Sequence, residues 1–364
     1  MLFYKSRLVN FINSARFFTQ TVHELIYREH GNPTEVLNLS SKELEVDTLE
    51  KQQVLVKWLA SPVNPADINQ IQGAYPIKPP NLPAVGGNEG CAQVIKAGSD
   101  VTEFRENDLV IPANAGLGTW CSHGIYDSKE LFPIEGDVKD YMFLSMIQVN
   151  PSTAYRMLKD FVNLSSGDIV VQNGANSSVG HFVIQICRIL GIQTINVVRD
   201  RPEIEQLKSQ LKKDGADEVY TEDEFSTLYR TKEFKAKLAL NCVGGKSGRH
   251  LSLALESGGT MVTYGGMSVS PVQVATSSLI FFNTKSVGFW ISKWNGIKQN
   301  REERINMYRE LIGWYKNGNL TLPKYQRRSF EEYKEAINQS TQTDPLTIKS
   351  KQIFTKKGNH HYFD

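Results

Sequence analysis

Cysteine is scarce in this chain and nowhere paired. Its 4 cysteines, Cys91, Cys121, Cys187 and Cys242, never fall at Cys-x-x-Cys spacing. That argues against a disulfide framework and against a structural zinc lobe. They read as small buried thiols of a reducing compartment. Long apolar runs are missing as well. None approaches the ~18 to 20 residues of a membrane span, and the most apolar helix-length segment is interrupted by Gln185 and Arg188. A net charge of +2 leaves no electrostatic case for nucleic acid or an anionic membrane as a partner, so a soluble protein is expected. Acids are absent from Met1 to Val22, where Lys5, Arg7 and Arg16 stand among hydroxyl and large apolar residues; the first acid is Glu24. An acid-free, basic, amphipathic start marks a mitochondrial transit segment, expected over residues 1–21 with processing after Arg16.

What is present is ordinary globular material: 364 residues, 40% hydrophobic and 22% charged, enough for about two domains with substantial cores. From Val22 to Pro133 short β runs alternate with turn residues. Leu25–Tyr27, Val36–Leu39, Val54–Leu59 and Leu109–Ile111 are the strand candidates. Such density predicts a compact β barrel-like domain. From Tyr141 the texture changes to strand–helix alternation, with strands at 218–220, 238–243 and 260–264 and a helix over 302–316. That order predicts an α/β fold with a parallel, doubly wound sheet. One more helix, around Tyr333, Ala336 and Ile337, precedes a terminal strand at 351–354.

The stretch Asp168–Arg201 carries the chemistry of this second half. It reads as strand, small-residue loop (Gly174 to Gly180), helix and second β-branched strand, so loop amides and a helix N-terminus converge where a pyrophosphate would sit. Ala175 and Ser177 occupy the first two glycine positions of the G-x-G-x-x-G register. On the loop alone, an ordinary βαβ crossover is as good a reading as a nucleotide site. The end of the second strand separates them. An NAD site carries an acid there for the ribose 2′-OH, whereas NADP sites carry Arg. Arg199 and Arg201 flank Asp200, and two guanidiniums can grip a 2′-phosphate by forked, charge-assisted hydrogen bonds. NADPH is the expected cofactor.

Further pieces carry a family pattern. Gly87 to Val101 resembles the signature of medium-chain dehydrogenases/reductases. In their zinc branch a metal-binding His precedes the Glu; this chain has Asn88 there, before Glu89. Cys121-Ser122-His123 offers too few ligands for a metal, and no metal is expected. The segments 64–76, 148–158, 196–202, 241–247, 258–267, 289–290 and 350–353 are together similar to the zinc-independent mitochondrial trans-2-enoyl-CoA (enoyl-acyl-carrier-protein) reductases. The resemblance runs from about Val22 to the C-terminus. It implies a GroES-like substrate domain over 22–140, a Rossmann domain over 141–324, and a segment 325–364 returning to the first. It also implies a homodimer in the mitochondrial matrix, acting in fatty acid synthesis. Tyr75, in Gly73-Ala74-Tyr75-Pro76, is the proton donor by that resemblance. The NADPH contacts it implies are Asn150; Asn176, Ser177, Ser178 and Val179; Arg199, Asp200 and Arg201; Tyr264, Gly265, Gly266 and Met267; Phe289, Trp290 and Ile291; and Lys351.

The expected reaction is reduction of a trans-2-enoyl thioester, carried on acyl-carrier protein or CoA, with hydride going to C3 and a proton to C2. A neutral phenol can supply that proton; the competing role for Tyr75 is to cap the barrel core. Phe281, Phe282, Phe289, Trp290 and Trp294 are candidates for an acyl-chain pocket, with core or dimer interface the alternative for Phe281 and Phe282. Lys293, Lys298, Arg301 and Arg304 would either meet phosphates of the carrier or form a solvated basic face. An NADPH-dependent quinone oxidoreductase and a non-catalytic NADPH sensor are the rival functions. N-terminal sequencing of the protein from its native compartment should begin after Arg16; a mature chain starting at Met1 would remove the transit reading.

Overall fold

Six parallel strands run in the order Glu218–Thr221, Gln193–Val198, Ile169–Asn173, Ala236–Asn241, Leu255–Thr263 and Lys285–Gly288. Numbered along the chain that order is 3-2-1-4-5-6, the doubly wound arrangement, and it reverses between Ile169–Asn173 and Ala236–Asn241. The computed structural model describes residues 19–136, 138, 140–231, 235–341 and 350–355. The expected transit segment lies outside them up to residue 18, and the first strand, Thr19–Tyr27, begins within the 1–21 span.

The central strand Ile169–Asn173 is buried without alternation from Val170 on because both its faces are covered. The helix Ser178–Leu190 lays Phe182, Val183, Ile186 and Cys187 against the core. It ends at Gly191, whose φ of 69° is the left-handed cap that glycine adopts without penalty. At the ends of the two central strands, buried polar side chains pair with each other. Asn173 Nδ2 donates to Asn241 Oδ1 at 2.8 Å, and Gln172 Nε2 donates to Asn196 Oδ1 at 2.8 Å. These amides then order the following turns: Cys242 N donates to Asn173 Oδ1 at 2.8 Å and Gly244 N to Asn241 Oδ1 at 3.0 Å.

A seven-stranded, mostly antiparallel sheet stands beside this one. Its order is Tyr325–Arg328, Lys351–Thr355, Gln53–Pro62, Cys91–Ala97, Leu109–Pro112 and Leu131–Pro133, with His123–Asp127 also paired to Gln53–Pro62. The C-terminal strand enters it through Ile353 opposite Pro62. A three-stranded sheet, Leu37–Glu45, Thr19–Tyr27 and Ala84–Val85, closes over the same core; Leu25 N donates to Trp120 O at 2.9 Å across the join. All four cysteines are free and buried, and among the described residues no helix is long and apolar enough to cross a membrane.

Two expectations need correction. Val36 does not start a strand: Pro33–Val36 is a helical turn, because Asn32 Oδ1 accepts from Thr34 N at 3.3 Å and Pro33 presets the first φ. The strand begins one residue later, at Leu37. Arg304 is not part of a basic face. Only 2% exposed, it donates to Ala113 O at 2.7 Å, Pro112 O at 3.2 Å and Tyr308 Oη at 2.8 Å, with its guanidinium over the Phe132 ring. It is a clamp between the helix Arg301–Lys316 and the end of the strand Leu109–Pro112. Arg301 is tied down too, by Glu103 at 3.3 Å.

Candidate active site

Three of the expected cofactor groups follow directly on parallel strands. Arg199 to Arg201 follow Gln193–Val198, Tyr264 to Met267 follow Leu255–Thr263, and Phe289 to Ile291 follow Lys285–Gly288. Asn176 to Val179 come three residues after Ile169–Asn173, in the loop and first turn that follow. All therefore sit at the carboxyl edge of one sheet, the edge where doubly wound folds bind ligands.

The loop fits a dinucleotide. Gly174 has φ 57°, and a Cβ there would come within 2.4 Å of Cys242 Sγ; at Gly180 it would meet Ala175 O at 2.4 Å. Ser177 caps the helix by accepting from Gly180 N at 3.1 Å, so the first-turn amides of Ser178 and Val179 remain as donors with no intrahelical acceptor. The two arginines also fit an anion. Burial, and then the neighbouring Arg199 charge, lower the Arg201 pKa, and a phosphate between them would relieve that repulsion. Asp200 is spent locally, accepting from Arg201 N at 2.8 Å. Asn150 opens the helix Asn150–Asp160, and its Oδ1 is buried without a partner, an acceptor placed for a donor group.

Lys351 comes from the other sheet. It lines a cleft of about 470 Å³ together with Asn176 and Ser178. Tyr75 and Trp290 lie outside that lining. The Lys351 ammonium donates to Asn64 Oδ1, which also accepts from Asn150 Nδ2 at 3.3 Å. Asn64 Nδ2 donates to Glu89 Oε2 at 2.8 Å, and Val149 N donates to Glu89 Oε1 at 2.7 Å. Beside them Asp67 accepts from Asn64 N at 2.7 Å, from Asn88 N at 2.9 Å and from Asn88 Nδ2 at 2.7 Å. Asp67 and Glu89 are fully buried. Burial pushes Asp67 up to about 6 and raises Glu89; burial likewise lowers Lys351, against the pull of Glu89.

Tyr75 meets Trp290 above this network. The indole Nε1–H donates to Tyr75 Oη at 2.8 Å, and the rings stand edge to face with centroids 5.8 Å apart. Burial is the main cause of a raised Tyr75 pKa, so the phenol keeps its proton. Because its oxygen accepts from Trp290, its own O–H is left to donate. Sequence reasoning singled out Tyr75 and Trp290 separately, in different roles. It did not assign Asn64, Asp67, Gln70 or Glu89 a role; an acid in the Gly87-Asn88-Glu89-Gly90 turn, just ahead of the apolar Cys91 and Ala92, was the available signal.

The five aromatic candidates do not gather in one pocket. Phe281 is 76% exposed on the helix Thr276–Phe282. Phe289 packs edge to face on Phe161, and Trp294 lies under Arg156. A strand of four residues, Lys285–Gly288, separates Phe281 and Phe282 from Phe289 and Trp290 by roughly 13 Å of extended chain. Only Trp290 of this group touches Tyr75.

Two family models match the chain: the alcohol dehydrogenase GroES-like domain over residues 50–152 and the zinc-binding dehydrogenase over residues 178–308. The residues do not fit a zinc site: Asn88 replaces the imidazole, and among the described residues no three His, Cys, Asp or Glu side chains converge. The chain is 48% identical to the mitochondrial enoyl-[acyl-carrier-protein] reductase of Caenorhabditis elegans, over 90% of this chain and 94% of that one. Etr1p of Candida tropicalis, solved with NADP and crotonyl-CoA and also as a heterodimer with Etr2p, is 36% identical. It covers 92% of this chain and all of its own, with a TM-score of 0.83. Quinone oxidoreductase of Escherichia coli, at 20% identity and a TM-score of 0.76 over 92% of this chain and 99% of its own, shares the fold alone.

Replacing Arg199 and Arg201 together by Ala should raise the KM for NADPH by about ten- to a hundredfold, the worth of one or two charge-assisted bonds, while leaving that for NADH nearly unchanged. Equal losses with both cofactors would refute the 2′-phosphate role. The Asp67 shift also predicts a pH dependence. A carboxyl raised in the fold contributes stability below its unfolded pKa and loses it as pH rises through the folded value, here between about 4 and about 6. The Tm of the parent relative to Asp67→Asn should therefore be more favourable at pH 5 than at pH 7.5. A pH-independent difference would contradict the raised value.

Proposed function

Because this chain belongs to the mitochondrial enoyl-[acyl-carrier-protein] reductases, we infer that it reduces trans-2-enoyl thioesters to saturated acyl thioesters with NADPH, in mitochondrial fatty acid synthesis. It is an oxidoreductase of Rossmann and GroES-like architecture, with the division 22–140, 141–324 and 325–364 proposed for the chain. The observation that carries the catalytic assignment is the Trp290 to Tyr75 hydrogen bond, which leaves a neutral, oriented phenol beside the cofactor edge.

NADPH, when bound, supplies hydride to C3 of the enoyl group. The residues do the rest. Amides of the Asn176–Val179 turn hold the pyrophosphate, and Arg199 and Arg201 hold the 2′-phosphate. Asn150, Tyr264 to Met267, Phe289 to Ile291 and Lys351 line the remainder of the cofactor path. Addition at C3 places negative charge on the thioester oxygen and at C2. Tyr75 gives its O–H proton to C2, and the indole of Trp290 stabilises the phenolate oxygen that remains. Solvent returns the proton to Tyr75 after product leaves. The carrier is acyl-carrier protein or CoA.

We propose a homodimer formed on the outer edge of the parallel sheet. All four residues of Lys285–Gly288 are exposed, and Ile280 (66%) and Phe281 (76%) stand exposed beside that edge. An open strand edge next to an apolar patch is the surface that association covers. Light scattering after size exclusion should give twice the chain mass for the parent and a single chain mass for Ile280→Glu with Phe281→Glu; a monomeric parent would dispose of the dimer.

Tyr75→Phe should leave NADPH binding within about twofold while cutting crotonyl-CoA turnover by about a hundredfold or more, the usual worth of a positioned general acid. Near-normal turnover would sink the Tyr75 assignment. Faster NADPH oxidation with a quinone than with a trans-2-enoyl-CoA would favour the rival enzyme, and cofactor binding with no enoyl turnover would favour a sensor.

A further inference from the structure

Tyr75 sits in a loop held at two points, and both holds trace back to the helix Pro65–Ile71. On the near side, Ala74 N and Tyr75 N both donate to Asn69 O, at 2.8 and 3.1 Å. On the far side, Gln70 Nε2 donates to Ile77 O at 3.1 Å. Gln70 is itself oriented by Asn88, whose Nδ2 donates to Gln70 Oε1 at 3.1 Å and to Asp67 Oδ1 at 2.7 Å. Gln70 is 3% exposed, Asn88 4% and Asp67 not at all, so water does not compete for the two bonds that Asn88 donates. The Asn88 amide can point only one way. Reversed, it would set Oδ1 against the Asp67 carboxylate; as placed, Oδ1 is the atom left buried without a partner.

We propose that Asn88 and Gln70 are positioning residues for the proton donor: Asn88 fixes the Gln70 carboxamide, and Gln70 pins the loop two residues beyond Tyr75. Both act on proton delivery without touching substrate or cofactor. The inference rests on Tyr75 being the donor. Asn88 stands where the zinc branch has its metal-binding His, and here that position carries an amide that anchors the donor loop. The Asn88 amide nitrogen supplies two protons to two acceptors; Leu supplies none.

The test is a double-mutant cycle on purified full-length enzyme with crotonyl-CoA and NADPH. Asn88→Leu and Gln70→Met are each made in the parent and in Tyr75→Phe. In the parent each should lower kcat by about tenfold to a hundredfold, the scale set by a donor displaced on the order of 1 Å, with the KM for NADPH changed less than about twofold. The solvent deuterium isotope effect on kcat should rise as protonation becomes slower. In the Tyr75→Phe background neither change should lower the residual turnover further. An equal fractional loss in both backgrounds, or no loss in the parent, overturns the positioning role. Full turnover in Tyr75→Phe alone instead removes the Tyr75 assignment itself, and the positioning role with it. Gln70→Met keeps the buried volume and loses only the bond to Ile77 and the acceptor for Asn88, so the cycle stands if Asn88→Leu fails to fold.

Discussion

A carboxylate sealed from water organises this molecule. Glu89 has no exposed surface, and leaving it unpaired there would cost several kcal/mol. Its two oxygens are met from different parts of the chain: Asn64, which caps a helix of the first half, and the amide of Val149, just before the helix Asn150–Asp160. Lys351, from the last described strand, closes the arrangement through Asn64. Three segments remote in sequence are thereby drawn to one point, and the cofactor edge of the parallel sheet is set beside the β-rich half. The adjacent Asp67 repeats the logic on a smaller scale, accepting from Asn64 and Asn88.

From that anchoring the division of labour follows. The parallel sheet gathers loop amides, two arginines and several side chains at one edge, because every strand of a parallel sheet ends on the same side. The β-rich half contributes the phenol. The Trp290 to Tyr75 hydrogen bond joins the two contributions beside the bonds of Asn150 to Asn64 and of Val149 to Glu89, and Arg304 clamps the halves elsewhere through backbone carbonyls. Tyr75 and the residues proposed for the cofactor are thus held by interactions that belong to neither half alone.

The arrangement of elements was legible because its signals are local. Strand–helix alternation, the small-residue loop and Arg199-Asp200-Arg201 point to a parallel sheet and to NADPH through periodicity and residue type alone. Where local signals compete, capping or tertiary packing decides. Val36 is β-branched and looks like strand, yet Asn32 and Pro33 turn it into a helix end. Arg304 belongs by composition to a run of surface cations, yet packing against Phe132 buries it. The aromatics from Phe281 to Trp294 are close in sequence, but an intervening strand sends them to opposite ends of the sheet.

By itself the sequence determined the α/β architecture and, through its family resemblance, the NADP cofactor and the reaction. These depend on chain-local patterns or on motifs with fixed spacing. Only the tertiary structure decided how the reaction is held together: Asn64, Asp67, Asn88, Glu89 and Lys351 share one buried network, and Trp290 bears on Tyr75. The Lys351 bond to Asn64 spans 287 residues and the Trp290 bond to Tyr75 spans 215. Contacts of such range leave no periodic trace in the chain, because burial and pairing of polar groups are properties of the packed molecule rather than of any window of its sequence.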